Sequence, residues 1–140
     1  MRVEAFLCDA ATVREGLLNI LGAGVTRIWR ESFPSIMNVD LAIMITLMPV
    51  EAKGPHRLRV VIQNEDGGSL AELDGEFGVG ALPVHALKPG EPLATPMVLN
   101  LRQIPILKEG VYSVELLIDS QLAKSLPFVA ALPMNQATPA

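Results

Sequence analysis

Few side chains in this 140-residue sequence can act as acids, bases, nucleophiles or ligands: one cysteine (Cys8), two histidines (His56 and His85), the carboxylates, and scattered serines and threonines. On paper, Cys8, His56 and Asp9 supply a thiol nucleophile, an imidazole base and a carboxylate to orient it. Their spacing does not support such a triad. Cys8 lies in an apolar first strand, where a cysteine behaves as a small buried hydrophobe. His56 opens a strand after Gly54-Pro55, a position from which an imidazole hydrogen-bonds loop backbone. His85, in Leu82-Pro83-Val84-His85, belongs to an exposed connection. Two histidines and a cysteine far apart give no metal-ligand interval. A calcium site would need Asp66, Asp74 and Asp119 to converge at one end of a sheet, and Asp66-Gly67 is already explained by a turn. Gly22-Ala23-Gly24 lacks the wider glycine pattern of a phosphate loop and runs into Val25, Ile28 and Trp29, so it reads as a bulge or bend. Neither a cofactor nor a metal is expected.

The elements that must position these residues are strands. From Val111 to Asp119, Tyr112, Val114, Leu116 and Ile118 share one face; from His56 to Asn64, Leu58, Val60 and Ile62 do the same. This period of two is that of a half-buried strand. Ser69 to Phe77 alternates likewise, and Asn64-Glu65-Asp66-Gly67-Gly68 predicts a hairpin between it and the preceding strand. Further strands are predicted at Val3–Cys8, Val25–Arg30, Pro96–Leu101 and Lys124–Val129, while Leu41–Met48 is apolar on both faces. Asp9 to Gly16 is the one place where a helical turn is expected. Eight or so short strands with turn residues between them predict an all-β, antiparallel, immunoglobulin-like sandwich of seven to nine strands with little or no helix. One such domain occupies residues 1–130, and residues 131–140 form a flexible tail.

Lys108-Glu109-Gly110-Val111-Tyr112-Ser113-Val114 resembles the tyrosine corner of immunoglobulin-like sandwiches, in which a tyrosine hydroxyl bonds backbone just upstream. Tyr112 acting simply as a core residue at a strand start is the alternative. If Leu41, Ile43, Ile45 and Leu47 face the core, then Ala42, Met44, Thr46 and Met48 face outward, and Met44 and Met48 become candidates for an interface. A loop from Ala81 to Pro96 folding over them is the alternative. Trp29, between Arg27 and Arg30, is either a binding hot spot or a ring packed at a sheet edge.

The 11 basic and 15 acidic residues leave a net charge of −4, with a pI near 5.1. No basic field exists to attract nucleic acid or anionic lipid. Apolar residues make up 50% of the chain and charged residues 19%. That apolar excess points to a protein contact. Charges at Glu4, Asp9, Arg14 and Glu15 break any secretion signal, and the apolar run Leu41–Val50 is too short to span a bilayer. With a single cysteine, the chain is expected in a reducing, cytoplasmic setting.

The order Leu7-Cys8-Asp9-Ala10, Asn19-Ile20-Leu21-Gly22-Ala23-Gly24, Phe33-Pro34, Gly54-Pro55-His56, Glu65-Asp66-Gly67, Gly110-x-Tyr112 and Leu126-Pro127-Phe128 resembles an uncharacterised family of small bacterial proteins classed as a domain of unknown function. The resemblance spans about residues 3 to 129. It implies a single sandwich domain in a bacterial cytoplasm and carries no activity, cofactor or catalytic residue with it. The expected role is therefore non-catalytic, through protein contacts, as a homo-oligomer or an accessory subunit. The alternative is a small hydrolase or ligand-binding protein using His56 with carboxylates near Asp66.

Overall fold

A computed structural model describes residues 1–78 and 88–133. The chain forms β1 (Arg2–Arg14), β2 (Leu17–Ala23), β3 (Arg27–Trp29), β4 (Ser35–Ile36), β5 (Asp40–Leu47), β6 (His56–Asn64), β7 (Ser69–Phe77), β8 (Leu93–Asn100), β9 (Pro105–Ile106), β10 (Gly110–Ile118) and β11 (Gln121–Ala131). A 3₁₀ turn at Glu51–Lys53 is the sole helical element among the described residues. The first sheet has the order β2-β1-β5-β8 and the second β3-β11-β10-β6-β7, with β4 and β9 paired separately. All neighbours are antiparallel except β3, which runs parallel to β11. The orders β1-β5-β8 and β7-β6-β10-β11 are those of the two sheets of an immunoglobulin-like sandwich, the second with the added strand of the variable type.

Alternation places the core where the sequence predicts it. Leu58, Val60 and Ile62 on β6, Tyr112, Val114, Leu116 and Ile118 on β10, and Leu41, Ile43, Ile45 and Leu47 on β5 are all buried in one cluster. The β6–β7 hairpin closes at Asn64–Gly68, where Gly67 has a φ of 85° and the Asn64 side chain accepts from the N–H groups of Asp66 and Gly68. That Asx geometry is why the segment turns there.

Three expectations need correction. Asp9–Gly16 is not helical: β1 continues to Arg14, and Ala10 to Arg14 pair with Leu17 to Leu21 of β2, a strand that the sequence reading missed. The turn is Glu15-Gly16, with φ of 53° and 74°. A two-residue turn with both φ positive suits the twist of a hairpin, and a glutamate in its first place hides it from a search for Asn-Gly or Asp-Gly. The segment from Ala81 to Pro96 is not a loop throughout, because β8 begins at Leu93 and Pro96 lies opposite Met44; residues 81–87 lie outside the described residues. Ala131 belongs to β11, opposite Trp29, instead of to a tail; residues 134–140 lie outside the described residues. Gly22 bends β2 without changing its register, from Ala10 opposite Leu21 to Cys8 opposite Ala23. Its φ of 66° favours glycine, and a Cβ there would crowd the Asp9 Cβ at 3.0 Å.

Candidate functional site

His56 opens β6, and its ring is held on both sides. Nδ1 lies 2.6 Å from Asp119 Oδ2 and Nε2 lies 2.6 Å from the Glu51 carbonyl oxygen. A carbonyl can only accept, and so can a carboxylate, so the two contacts are both hydrogen bonds only when both ring nitrogens donate, as in the protonated imidazolium. The Asp119 carboxylate, then the Glu51 carbonyl, push the His56 pKa up. Asp119 is held down, first by His56 and then by the Arg57 N–H that its Oδ1 accepts at 2.9 Å. Asp119 sits in the two-residue β10–β11 turn with a φ of 51°. The cluster therefore ties three pieces of chain together and leaves neither ring nitrogen free to take a proton from a substrate. The ring also stacks on Phe77, at 5.4 Å between centroids.

The carboxylate that meets His56 is thus Asp119. Asp66 is in the turn at the other end of β6, a nine-residue strand whose rise of about 3.3 Å per residue separates the two ends by roughly 27 Å. For the same reason Asp66 and Asp119 do not converge, and Asp74 lies on β7 opposite Arg59. Among the described residues no three His, Cys, Asp or Glu side chains are grouped to hold a metal ion. His85 lies outside the described residues.

Cys8 is fully buried, its thiol 3.4 Å from the Asp40 carbonyl oxygen. Burial, then the nearby Asp40 charge, raise its pKa. It is a protonated thiol and no nucleophile. Asp9, the third residue of the paper triad, gives only its carbonyl, to Arg102. Arg102 also meets Asp40 Oδ2 at 3.2 Å, and the same oxygen accepts the Ala11 N–H at 3.0 Å. Asp40 and Arg102, which sequence reasoning missed, hold β1 at the point where it parts from β5. They are far apart in sequence and carry no local signal.

Tyr112 is 4% exposed and its hydroxyl donates to the Lys108 carbonyl at 2.6 Å. The ring stacks on Phe128, its cross-strand partner on β11, at 5.4 Å. This is the geometry of a tyrosine corner at the start of β10.

The residues singled out for contacts are spread over two sheets. Met44 is half-buried on β5 between Glu4 and Pro96, and Met48, in the turn after β5, is 42% exposed. Trp29 is 47% exposed on β3, an edge strand of the second sheet, with the Arg27 guanidinium 5.1 Å from its ring. A larger apolar surface lies elsewhere. β1 pairs with β5 only from Arg2 to Cys8, so from Ala10 to Leu21 the β1–β2 hairpin is a two-stranded arm. Leu17 is 66% and Leu21 69% exposed, and Val13 is exposed too. Ala11, Val13, Leu18 and Ile20 share one face, on which Val13 is exposed and the other three are half-buried; Leu17 and Leu21 flank Asn19 on the other. No helix among the described residues is long and apolar enough to cross a membrane.

No curated protein matches the chain. The model of a family of unknown function, DUF6941, matches residues 4–131, nearly the whole sandwich, and the chain belongs to that family.

Proposed function

We propose that the protein is a non-catalytic β-sandwich that works through protein contacts in the reducing bacterial cytoplasm, as a homo-oligomer or as an accessory subunit. The carrying observation is the β1–β2 arm. Two strands alone are marginal in water, and an arm with leucines exposed on one face and a wholly apolar second face gains stability from a partner. The foot of the arm is fixed by Asp40 and Arg102, so the surface is presented in a set direction. Met48 and Trp29 add exposed apolar area outside the arm. The single thiol, Cys8, is buried and protonated, in keeping with a cytoplasmic setting.

Capture from the native cell with three baits tests this: the wild type, Leu17→Ser/Leu21→Ser, and His56→Gln. Recovery of a partner, whether a second copy or another protein, is expected with the wild type and His56→Gln and lost with the double serine variant. A profile unchanged by the serines, or abolished by His56→Gln in a folded chain, contradicts it.

A further inference from the structure

Strand β2 gives one edge to β1, and no strand pairs with its other edge among the described residues. Proteins guard such edges with lysine, proline or a bulge. Leu17-Leu18-Asn19-Ile20-Leu21 has no charge and no proline. It also reads nearly alike in both directions about Asn19. Two antiparallel copies related by an axis through Asn19 set Leu17 opposite Leu21, Leu18 opposite Ile20, and Asn19 opposite itself. A register moved by two residues either way would put Asn19 opposite a leucine.

The direction of the backbone groups agrees independently. In the Glu15-Gly16 turn, Arg14 and Leu17 are the closing pair that exchanges hydrogen bonds across the hairpin. Hydrogen-bonding direction alternates along a strand, so Leu17, Asn19 and Leu21 face β1, whereas Leu18 and Ile20 turn their N–H and C=O groups to the open edge. These are the two residues that the axis sets opposite each other. From these two agreements we infer that β2 pairs antiparallel with β2 of a second copy of this chain, across a two-fold axis at Asn19, joining the two first sheets into one. The Leu18–Ile20 pairs carry the ladder. The two Asn19 amides meet on one face, between the flanking Thr12 side chains, and specify the register. Arg14 lies beside Leu17 and meets no like charge there. The pairing rests on the contact role proposed above and names the partner.

Single cysteines in the full chain test it, with Cys8 buried in every variant. Asn19 would be a non-hydrogen-bonded pair at the axis, with Cα atoms about 4.5 Å apart, within disulfide reach. Two copies of position 17 would be offset by four residues of strand, about 14 Å. Under oxidised glutathione, Asn19→Cys is expected to cross-link to a dimer at least about tenfold faster than Leu17→Cys. Ile20→Pro removes an N–H used by the partner alone; by sedimentation it is expected to be a folded monomer at concentrations where the wild type dimerises. Equal cross-linking at positions 17 and 19, or a wild type that is monomeric up to the highest soluble concentration, overturns the inference. If arm-dependent capture recovers a different protein and Asn19→Cys does not cross-link, self-pairing falls and the contact role stands.

Discussion

The two halves of β1 obey the same backbone rules and end in opposite surroundings. From Arg2 to Cys8 the strand pairs with β5; Ala5 and Leu7 are buried in the shared core while Glu4 and Phe6 remain exposed. Beyond Asp9 it pairs with β2 alone, and Val13 on this half is exposed together with Leu17 and Leu21 across from it. In the first half one face, carrying Ala5 and Leu7, is buried in the shared core and the other, carrying Glu4 and Phe6, is exposed, so alternation reports burial. In the second, β2 is the only strand paired with β1, and apolar residues stand on both faces of the hairpin, with Val13, Leu17 and Leu21 left exposed.

Truncating one apolar residue in each region separates a packed core from an uncovered strand. Val114 and Ile43 are fully buried. Ile43→Ala is expected to cost about 2–5 kcal/mol, the range for removing a large aliphatic side chain from a packed core. Leu21→Ser on the arm is expected to change the stability of the monomer by no more than about 0.5 kcal/mol. Urea midpoints at low protein concentration, where association is absent, check both. A similar loss at the two positions would show that the arm packs on the body.

The same contrast explains what was legible in the sequence. β6, β7 and β10 each have a clean apolar face because the body covers it, and their period of two was enough to place seven core residues from Leu58 to Ile118. The tyrosine of the corner stood out because Gly110-x-Tyr112 is a local pattern. The arm was not legible: Asp9-Ala10-Ala11-Thr12-Val13-Arg14-Glu15 mixes small and charged residues with no period, and its turn uses Glu15 in place of asparagine or aspartate. The partners of His56 were missed for another reason. Asp119 and the Glu51 carbonyl come to it from other parts of the chain, and only the register of β6 against β10, with Leu58 opposite Ile118, brings the aspartate near.

Within the body, Tyr112 isolates a single hydrogen bond. Its hydroxyl is the one side-chain donor to the Lys108 carbonyl among the described residues. Tyr112→Phe keeps the stacking on Phe128 and removes this one hydrogen bond, so a loss of about 1–2 kcal/mol with the fold retained is expected. The arm should not notice: amide exchange at Thr12 and Asn19 should be unchanged while that of β10 and β11 accelerates. A midpoint equal to that of the wild type would mean that the ring acts through packing alone.

The effect at the His56 clamp is set by pH. His56 binds its proton more tightly in the folded state than at its ordinary value of 6.5, and Asp119 holds its proton less tightly than at its ordinary 3.8. A raised histidine contributes stability that is complete below the unfolded value and is lost as pH rises through the folded one. A lowered carboxylate contributes stability that is present above its unfolded value and is lost as pH falls through the folded one. Both contributions are therefore in place between about pH 4 and 6.5. Above that window the imidazolium gives up a proton while its two acceptors, Asp119 and the Glu51 carbonyl, remain, and one hydrogen bond must break. The stability advantage of the wild type over His56→Gln is expected to be greatest near pH 5 to 6 and to shrink toward pH 8, as measured by denaturation midpoints across that range. Because the clamp joins β6, the turn at Glu51 and the β10–β11 turn, the change should fall on the body, with the pairing proposed for the arm unaltered over the same range. An advantage that instead grows with pH would mean that the ring is neutral in the folded chain.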